Sequence, residues 1–185
     1  MAVIASKVVQ VPKYATVPVG TTWLFEENGT FTVPADGKYQ IEIHGGGGGA
    51  AYASPCSAGG GGSGELIELA LTEGDAWDIT IGAGGTRKQG NGTGGTGGTS
   101  YFGSFAQPGG AGGYVYNAYS TVRNGEASGS IASKGGATAS GTNAGGGQGN
   151  INNTAQTYGD GGSVVNSTAQ NGQPGAVIIT YLGVS

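Results

Sequence analysis

Tyr39, Ile41 and Ile43 fall on one side of an extended chain, and Gln40, Glu42 and His44 on the other. That period of two predicts a half-buried β-strand over residues 39–44. It recurs at Ile67, Leu69 and Leu71, which alternate with Glu68 and Ala70, and again at Trp77, Ile79 and Ile81. The piece ELIELAL can be read as helical, but it is short and alternates, which favours a strand. Glu73-Gly74-Asp75 supplies a turn, so residues 64–81 are expected to form a hairpin. In TTWLFEENGTFTVP two β-rich runs flank Asn28-Gly29, a pair that tolerates positive φ, and another hairpin is expected there. Asp36-Gly37 turns the chain into strand 39–44. GAVIITYLG, near the carboxyl end, reads as the last strand. Residues 1–20 form an arm with alternation at Val9 and Val11, ended by Pro12 and Pro18. It is too short to bury itself and is expected to lie on a neighbouring subunit or an attachment partner.

Between Gly84 and Pro174 the chain has almost no Leu, Ile or Phe. A structureless loop of that length inside a compact domain is implausible, and the last strand must return to the early ones. The segment is therefore expected to be an ordered insertion into a β-sandwich. Its composition says how. Glycine makes up 43 of the 185 residues. In GNGTGGTGGTS, glycine recurs at 92, 95 and 98 and at 94 and 97, with threonine at 93, 96 and 99. This period of three matches an extended left-handed helix with three residues per turn, no internal hydrogen bonds and sideways-pointing N–H and C=O groups. With two glycines per turn, two of its three faces are bare backbone. Several such polyglycine II helices could pack closely and satisfy one another's polar groups. The clusters at 45–49, 59–62, 109–113, 135–136, 145–149 and 159–162 fit the same scheme. The expectation is an all-β fold with few or no α-helices: a sandwich over residues 21–185, of jelly-roll or TNF-like type, with polyglycine-helix insertions at 45–64 and 84–173.

Composition also removes several function classes. The single Cys56 excludes an internal disulfide framework and a cysteine-based zinc site. The amino-terminal MAVIASKVVQVPKY has no long apolar core or cleavage site, so no secretory signal is expected. No apolar run approaches the ~20 residues of a membrane helix. The formal charge is −4 and the seven Lys and Arg are scattered, so no basic stripe exists to neutralise nucleic-acid phosphates.

Taken together, YQIEIHGGGGG, GGGGSGELIEL, WDITIGAGG, GGTSYFG followed by GGAGG, and the terminal GAVIITY resemble the glycine-rich domain of bacteriophage tail fibres and related virion proteins. A similar arrangement occurs in the glycine-rich extracellular region of anaplastic-lymphoma-kinase-type receptors. The resemblance covers roughly residues 21–185 and leaves residues 1–20 outside it. It implies a non-enzymatic virion protein, made in the host cytoplasm, that contacts the host surface through loops joining the helices, often as a homotrimer. The partner so implied is a host surface glycan or outer-surface protein; the uncovered arm, residues 1–20, is expected to attach to another virion protein. A capsid decoration or head fibre, and an extracellular binding module, stay open as alternatives.

The chemical candidates are weak beside this. IEIHGGGGG resembles the oxyanion segment of esterases, but no G-x-S-x-G follows: Ser57 and Ser63 lie in PCSAG and GGSGE. His44 is the only histidine, so no triad base remains. It is expected to be an exposed residue at a strand end. The GxGxxG match at 90–95 is not followed by a helix. Glu73, Asp75 and Asp78 lack the spacing of a calcium loop, and the adjacent Glu26 and Glu27 point to opposite strand faces and cannot act as a glycosidase pair. Neither catalytic residues nor a cofactor or metal are expected. The longest stretch of the insertion without glycine clusters, YVYNAYSTVRNGEAS, offers Tyr114, Tyr116, Tyr119 and Arg123 for recognition, because tyrosine and arginine dominate binding hot spots. Tyr52 and Tyr158 are further candidates. The competing explanation is that these rings cover bare glycine backbone.

Overall fold

The computed structural model describes residues 17–53, 56–116, 121–123, 138–139, 146–147 and 158–184. Among them every regular element is a β-strand. In chain order they are β1 (Thr22–Phe25), β2 (Gly29–Thr32), β3 (Gly37–His44), β4 (Ala51–Tyr52), β5 (Cys56–Ser57), β6 (Gly64–Leu71), β7 (Ala76–Thr80), β8 (Lys88–Gln89) and β9 (Gly92–Thr93). The second half carries β10 (Ser100–Phe102), β11 (Phe105–Gln107), β12 (Tyr114–Tyr116), β13 (Thr121–Arg123), β14 (Thr138–Ala139), β15 (Val164–Val165), β16 (Thr168–Ala169) and β17 (Ala176–Gly183).

Two four-stranded antiparallel sheets, ordered β1-β17-β3-β6 and β11-β10-β7-β2, share one apolar core. The period of two places Tyr39, Ile41 and Ile43 of β3 and Val177 and Ile179 of β17 in full burial. They meet Phe31 of β2, Ile79 of β7 and Phe102 of β10 from the other sheet. Each such side chain contributes about 1.5–3 kcal/mol relative to exposure. Trp77 stacks on Phe102 with ring centroids 4.9 Å apart and planes 4° from parallel. The final strand returns to the centre of the first sheet, as expected, pairing with β1 on one side and β3 on the other.

Both expected hairpins are corrected. The runs around Asn28-Gly29 are strands, but β1 pairs with β17 and β2 pairs with β7. The Asn28 side chain instead accepts a hydrogen bond from the Ile81 N–H at 2.8 Å. Likewise β6 pairs with β3, whereas β7 pairs with β2 and β10. Gly74 does turn the chain, with φ of +88°, but the turn carries it from one sheet to the other. In each case both strands already supply a buried face to the shared core, so burial is the same whichever sheet the strand joins. The 84–173 stretch is also interrupted: β10 and β11 form a genuine two-stranded turn within the second sheet.

Beyond His44 the chain leaves the first sheet and enters the glycine region. Its N–H groups bond sideways with a period of three. Gly45 and Gly48 donate to Ser63 and Gly60, Gly46 and Gly49 to Gly98 and Gly95, and Gly47 and Ala50 to Gln173 and Gln170, all at 2.8–3.0 Å. The carbonyls of the same segment face three other segments: those of residues 46 and 49 accept from Gly110 and Gly113, those of 47 and 50 from Gly85 and Lys88, and that of 48 from Gly162. Residues 45–50 are therefore enclosed by six neighbours. The partner numbers show that the three segments receiving its N–H bonds run antiparallel to it, and the three donating to its carbonyls run parallel.

The neighbours also close a ring. Segment 58–63 bonds to 108–113, which bonds to 94–98, then 82–86, 170–175, 159–162 and back to 58–63. Adjacent members alternate in direction. The bonds of residues 45–50 thus run between segments, and all six residues are buried. A Cβ added at Gly45, Gly46, Gly47, Gly48 or Gly49 would lie 2.0–2.2 Å from a backbone oxygen of Pro108, Ala83, Asp160, Ala111 or Thr86 respectively. Contact faces rotate with the same period of three. In the ring, Gly94 and Gly97 press on the central carbonyls of Gly49 and Gly46, while Thr93 and Thr96 are exposed. The GGT repeat is a sequence record of one face in and one face out.

Energetics decide how this region folds. A backbone hydrogen bond contributes a net ~1 kcal/mol, while fixing one residue's backbone costs about 1–2 kcal/mol and glycine loses more than the average. One bond per residue does not suffice. Close backbone packing adds dispersion, and a buried group left unpaired costs about 1–3 kcal/mol, so the segments form together. Gly47→Ala is expected to destabilise the chain by at least about 3 kcal/mol, at the upper end of overpacking costs, whereas Thr96→Ala on the exposed face stays within ~0.5 kcal/mol. Urea unfolding of the two variants checks this, and a near-neutral Gly47→Ala would refute the packing argument.

Candidate interaction site at the far end of the glycine segments

Because β3 runs straight into residues 45–50, one end of the glycine segments abuts the two large sheets. The directions of the other six place residues 50–53, 56–58, 86–94, 113–114 and 162–170 together at the opposite end. Short strands cap it there. Ala51 and Tyr52 of β4 pair in parallel with Lys88 and Gln89 of β8 and antiparallel with β5. Strand β12 pairs with β9 and β13, and β15 with β16. A small second core of Ala50, Cys56, Ala58, Val164 and Ala169 closes this end, with Tyr52 packed against it.

The most exposed described residues of the cap lie on two turns. The Asn166-Ser167 turn joins β15 and β16 with φ of +47° and +66°. Two central residues at positive φ are what a two-residue hairpin of matching twist requires, but a non-glycine residue there costs roughly 1–2 kcal/mol. Gln89 braces the turn: its amide donates to the Ser167 carbonyl at 3.0 Å and its Oε1 accepts from the Ala169 N–H at 3.3 Å. Val165 beside it is 45% exposed. The second turn, at Gly90, follows exposed Arg87, Lys88 and Gln89. The Arg87 guanidinium reaches the Ala169 carbonyl at 3.4 Å, and the Arg87 backbone N–H donates to Asn171 Oδ1 at 2.8 Å.

Charge is segregated along the molecule. Nine of the eleven carboxylates lie between Glu26 and Asp78, on or beside the large sheets, with only Lys38 among them. From Ile79 to Gly125 the sequence contains Arg87, Lys88 and Arg123 and no carboxylate. Among the described residues the far end therefore carries Arg87, Lys88 and Arg123 and no carboxylate, on a protein of net charge −4.

The structure divides the residues expected from sequence. Tyr52 is half-buried and packed against the small core. Tyr114 is half-buried on β12, opposite Thr93 and Arg123 in the ladder. Tyr116 and Arg123 sit on the β12–β13 pair at the same end. Tyr119 lies outside the described residues. Tyr158 belongs to the other end, at the start of segment 159–162. Its hydroxyl donates to Glu26 Oε1 at 3.0 Å and its ring lies 6.2 Å from that of His44. His44 itself is 2% exposed, with Nε2 2.7 Å from Glu42 Oε1, which corrects the expectation of an exposed histidine. Alternation puts Glu42 on the same strand face as His44, but Tyr158, brought in over 114 residues, shows in no local pattern. Arg87, Lys88, Gln89 and Ser167 were not singled out from sequence. Their signal was the adjacent basic pair in TRKQG and nothing stronger.

Burial raises the Tyr158 pKa above 10.0, with further upward contributions from the hydrogen bond to Glu26 and from its charge. The folded state therefore holds this proton more tightly than the unfolded chain. The stabilisation is complete below pH 10.0 and is lost as pH rises through the folded value. Alkaline unfolding curves should show a loss of stability that begins near pH 10.0, and Tyr158→Phe should reduce that pH slope while leaving stability at neutral pH nearly unchanged. A slope identical in the two proteins would contradict the assignment.

A family model described as a glycine-rich domain matches residues 25–178, most of the chain. No curated protein matches it.

Proposed function

We propose, from the premise that the chain belongs to the glycine-rich domain family, that it is a non-enzymatic bacteriophage virion protein. In this reading it is a tail-fibre or receptor-binding adhesin whose loops between glycine segments touch the host cell. The observation that carries the proposal is the division of labour along the molecule. Packing fixes the glycine segments so tightly that a methyl group is excluded at five successive positions, whereas the turns at their far end are exposed. Such an arrangement presents variable loops on a rigid support, which suits recognition. The cationic far end would be drawn to an anionic cell surface, since local charge raises association rates even on an acidic protein.

The segments are read as polyglycine II helices. The period of three in both hydrogen-bond direction and contact face supports this. The paired four-stranded sheets sharing a core fit a jelly-roll or TNF-like sandwich, the usual partner of such an insertion by the resemblance. Homotrimerisation, and attachment to the particle through residues 1–20, complete the proposal. A second reading is a capsid decoration or head fibre in which the rigid bundle acts as a spacer; the same packing favours it, and imaging of the particle separates fibre tip from shell.

Purified protein should bind bacteria of a susceptible strain and compete with particles for adsorption. Lys88→Glu should weaken binding about tenfold at low salt, with less effect at high salt, because an exposed charge acts mainly on the encounter rate. A protein that binds no strain of a broad bacterial panel overturns the adhesin reading.

A further inference from the structure

A cleft of about 310 Å³ opens on the side of the glycine bundle and extends to Ser163 and Gln170 at the base of the β15–β16 hairpin. Its floor is bare backbone, including Gly147 and Gly161, and its walls carry Asp160, Gln170, Asn171 and Gln173. The position has a structural origin. Segments 159–163 and 170–173 are neighbours in the ring, and Gly147 stands outside it, donating to the Gly59 carbonyl and accepting from the Gly161 N–H at 2.9 and 2.7 Å. The cleft is the next place in the packing, between these three pieces of chain.

We propose that this cleft binds a neutral sugar unit of a glycan chain. The volume sits at the lower end of the range for ligand sites, roughly 300–1,000 Å³, which suits one or two pyranose rings. Among the described residues the lining contains no cation, so phosphate, sulfate and carboxylate ligands are disfavoured. One carboxylate is too little for a divalent cation, and no cluster of three metal-ligating side chains occurs among the described residues. Side-chain amides both donate and accept, and a carboxylate accepts. Together they match hydroxyl groups, each of which needs both roles. Two wall residues are already held in place: Asn171 Oδ1 accepts from Arg87, and Gln170 Oε1 accepts from Ser163 Oγ at 2.6 Å. Gln173 is exposed and lines the cleft, and its backbone is anchored by donating to the Asp160 carbonyl at 2.8 Å.

The test is an amide-resonance titration of the full chain with methyl glycosides of neutral and N-acetylated hexoses, and separately with a triglycine peptide. At least one neutral sugar should shift the amides of Gly161, Gly162 and Gln173 with a dissociation constant of about 1 mM, the level set by a dozen or so heavy atoms at modest ligand efficiency. Gln173→Ala should weaken that binding about tenfold, the loss of one hydrogen bond to a ligand. Gln173→Trp should block it, and both variants should unfold at the same urea concentration as the parent. Shifts produced by the peptide alone, or by no sugar, or shifts that survive Gln173→Trp, overturn the proposal. Cell binding through the far-end turns is a separate measurement, and its outcome is independent of this one.

Discussion

Six consecutive residues at the centre of this protein have no side chain larger than a methyl group and are surrounded by backbone. Their polar groups are satisfied by other segments, the N–H groups of residues 45–50 bonding to three of them and the carbonyls of residues 46–50 to three more. The rest of the architecture follows from meeting that demand. Three N–H directions require three acceptor segments, and three carbonyl directions require three donor segments. The antiparallel and parallel directions then alternate around the ring, so that each ring member can bond to both of its neighbours. Losing one member would leave buried groups unpaired on several others.

The large sheets supply what the glycine segments lack. Bare backbone provides dispersion and hydrogen bonds but little apolar burial, and glycine is the costliest residue to order. The sheets bury whole Tyr, Ile, Val and Phe side chains, and strands β3, β6 and β17 run directly into or out of the bundle. The sheets thereby fix the segment ends in relative position, which lowers the entropy that the inter-segment bonds must offset. His44 marks the junction. It is the last residue of β3, buried between Glu42 and the Tyr158 ring, and the next residue is the first of the central segment.

Local periodicity made the strands legible. Tyr39–Ile43, Ile67–Leu71 and Trp77–Ile81 all lie where alternation put them. Pairing was not legible, because β1 with β2 and β6 with β7 face one core from opposite sheets and alternate identically whichever neighbour they take. The glycine region was legible as a period of three in GNGTGGTGGTS, but its hub was not. Residues 45–49 read as one cluster among several. The structure supplies the missing rule: a segment enclosed on every side needs glycine at essentially every position, as in HGGGGGA, whereas a ring segment with an exposed face can carry threonine or alanine once per turn, as in GTGGTGG. At the interaction end, Tyr114, Tyr116 and Arg123 come to lie on neighbouring strands, while Tyr158 belongs to the opposite end because its segment begins at the sheets.

That rule also explains why binding should reside at turns and outer faces. A substitution inside the bundle meets a backbone oxygen at about 2 Å, as at Gly47 and Gly48, and backbone cannot rotate away as a side chain can. Sequence change is therefore confined to positions outside the enclosed faces. These are the outer threonines and alanines, the far-end turns held by Gln89 and Ser167, and the walls of the lateral cleft. In segment 170–175 only Gly172 and Gly175 turn inward, and Gln170, Asn171, Gln173 and Pro174 are exposed. A scaffold that fixes its interior through backbone alone leaves nearly all of its side-chain chemistry on its surface, where a partner can be met without cost to the fold.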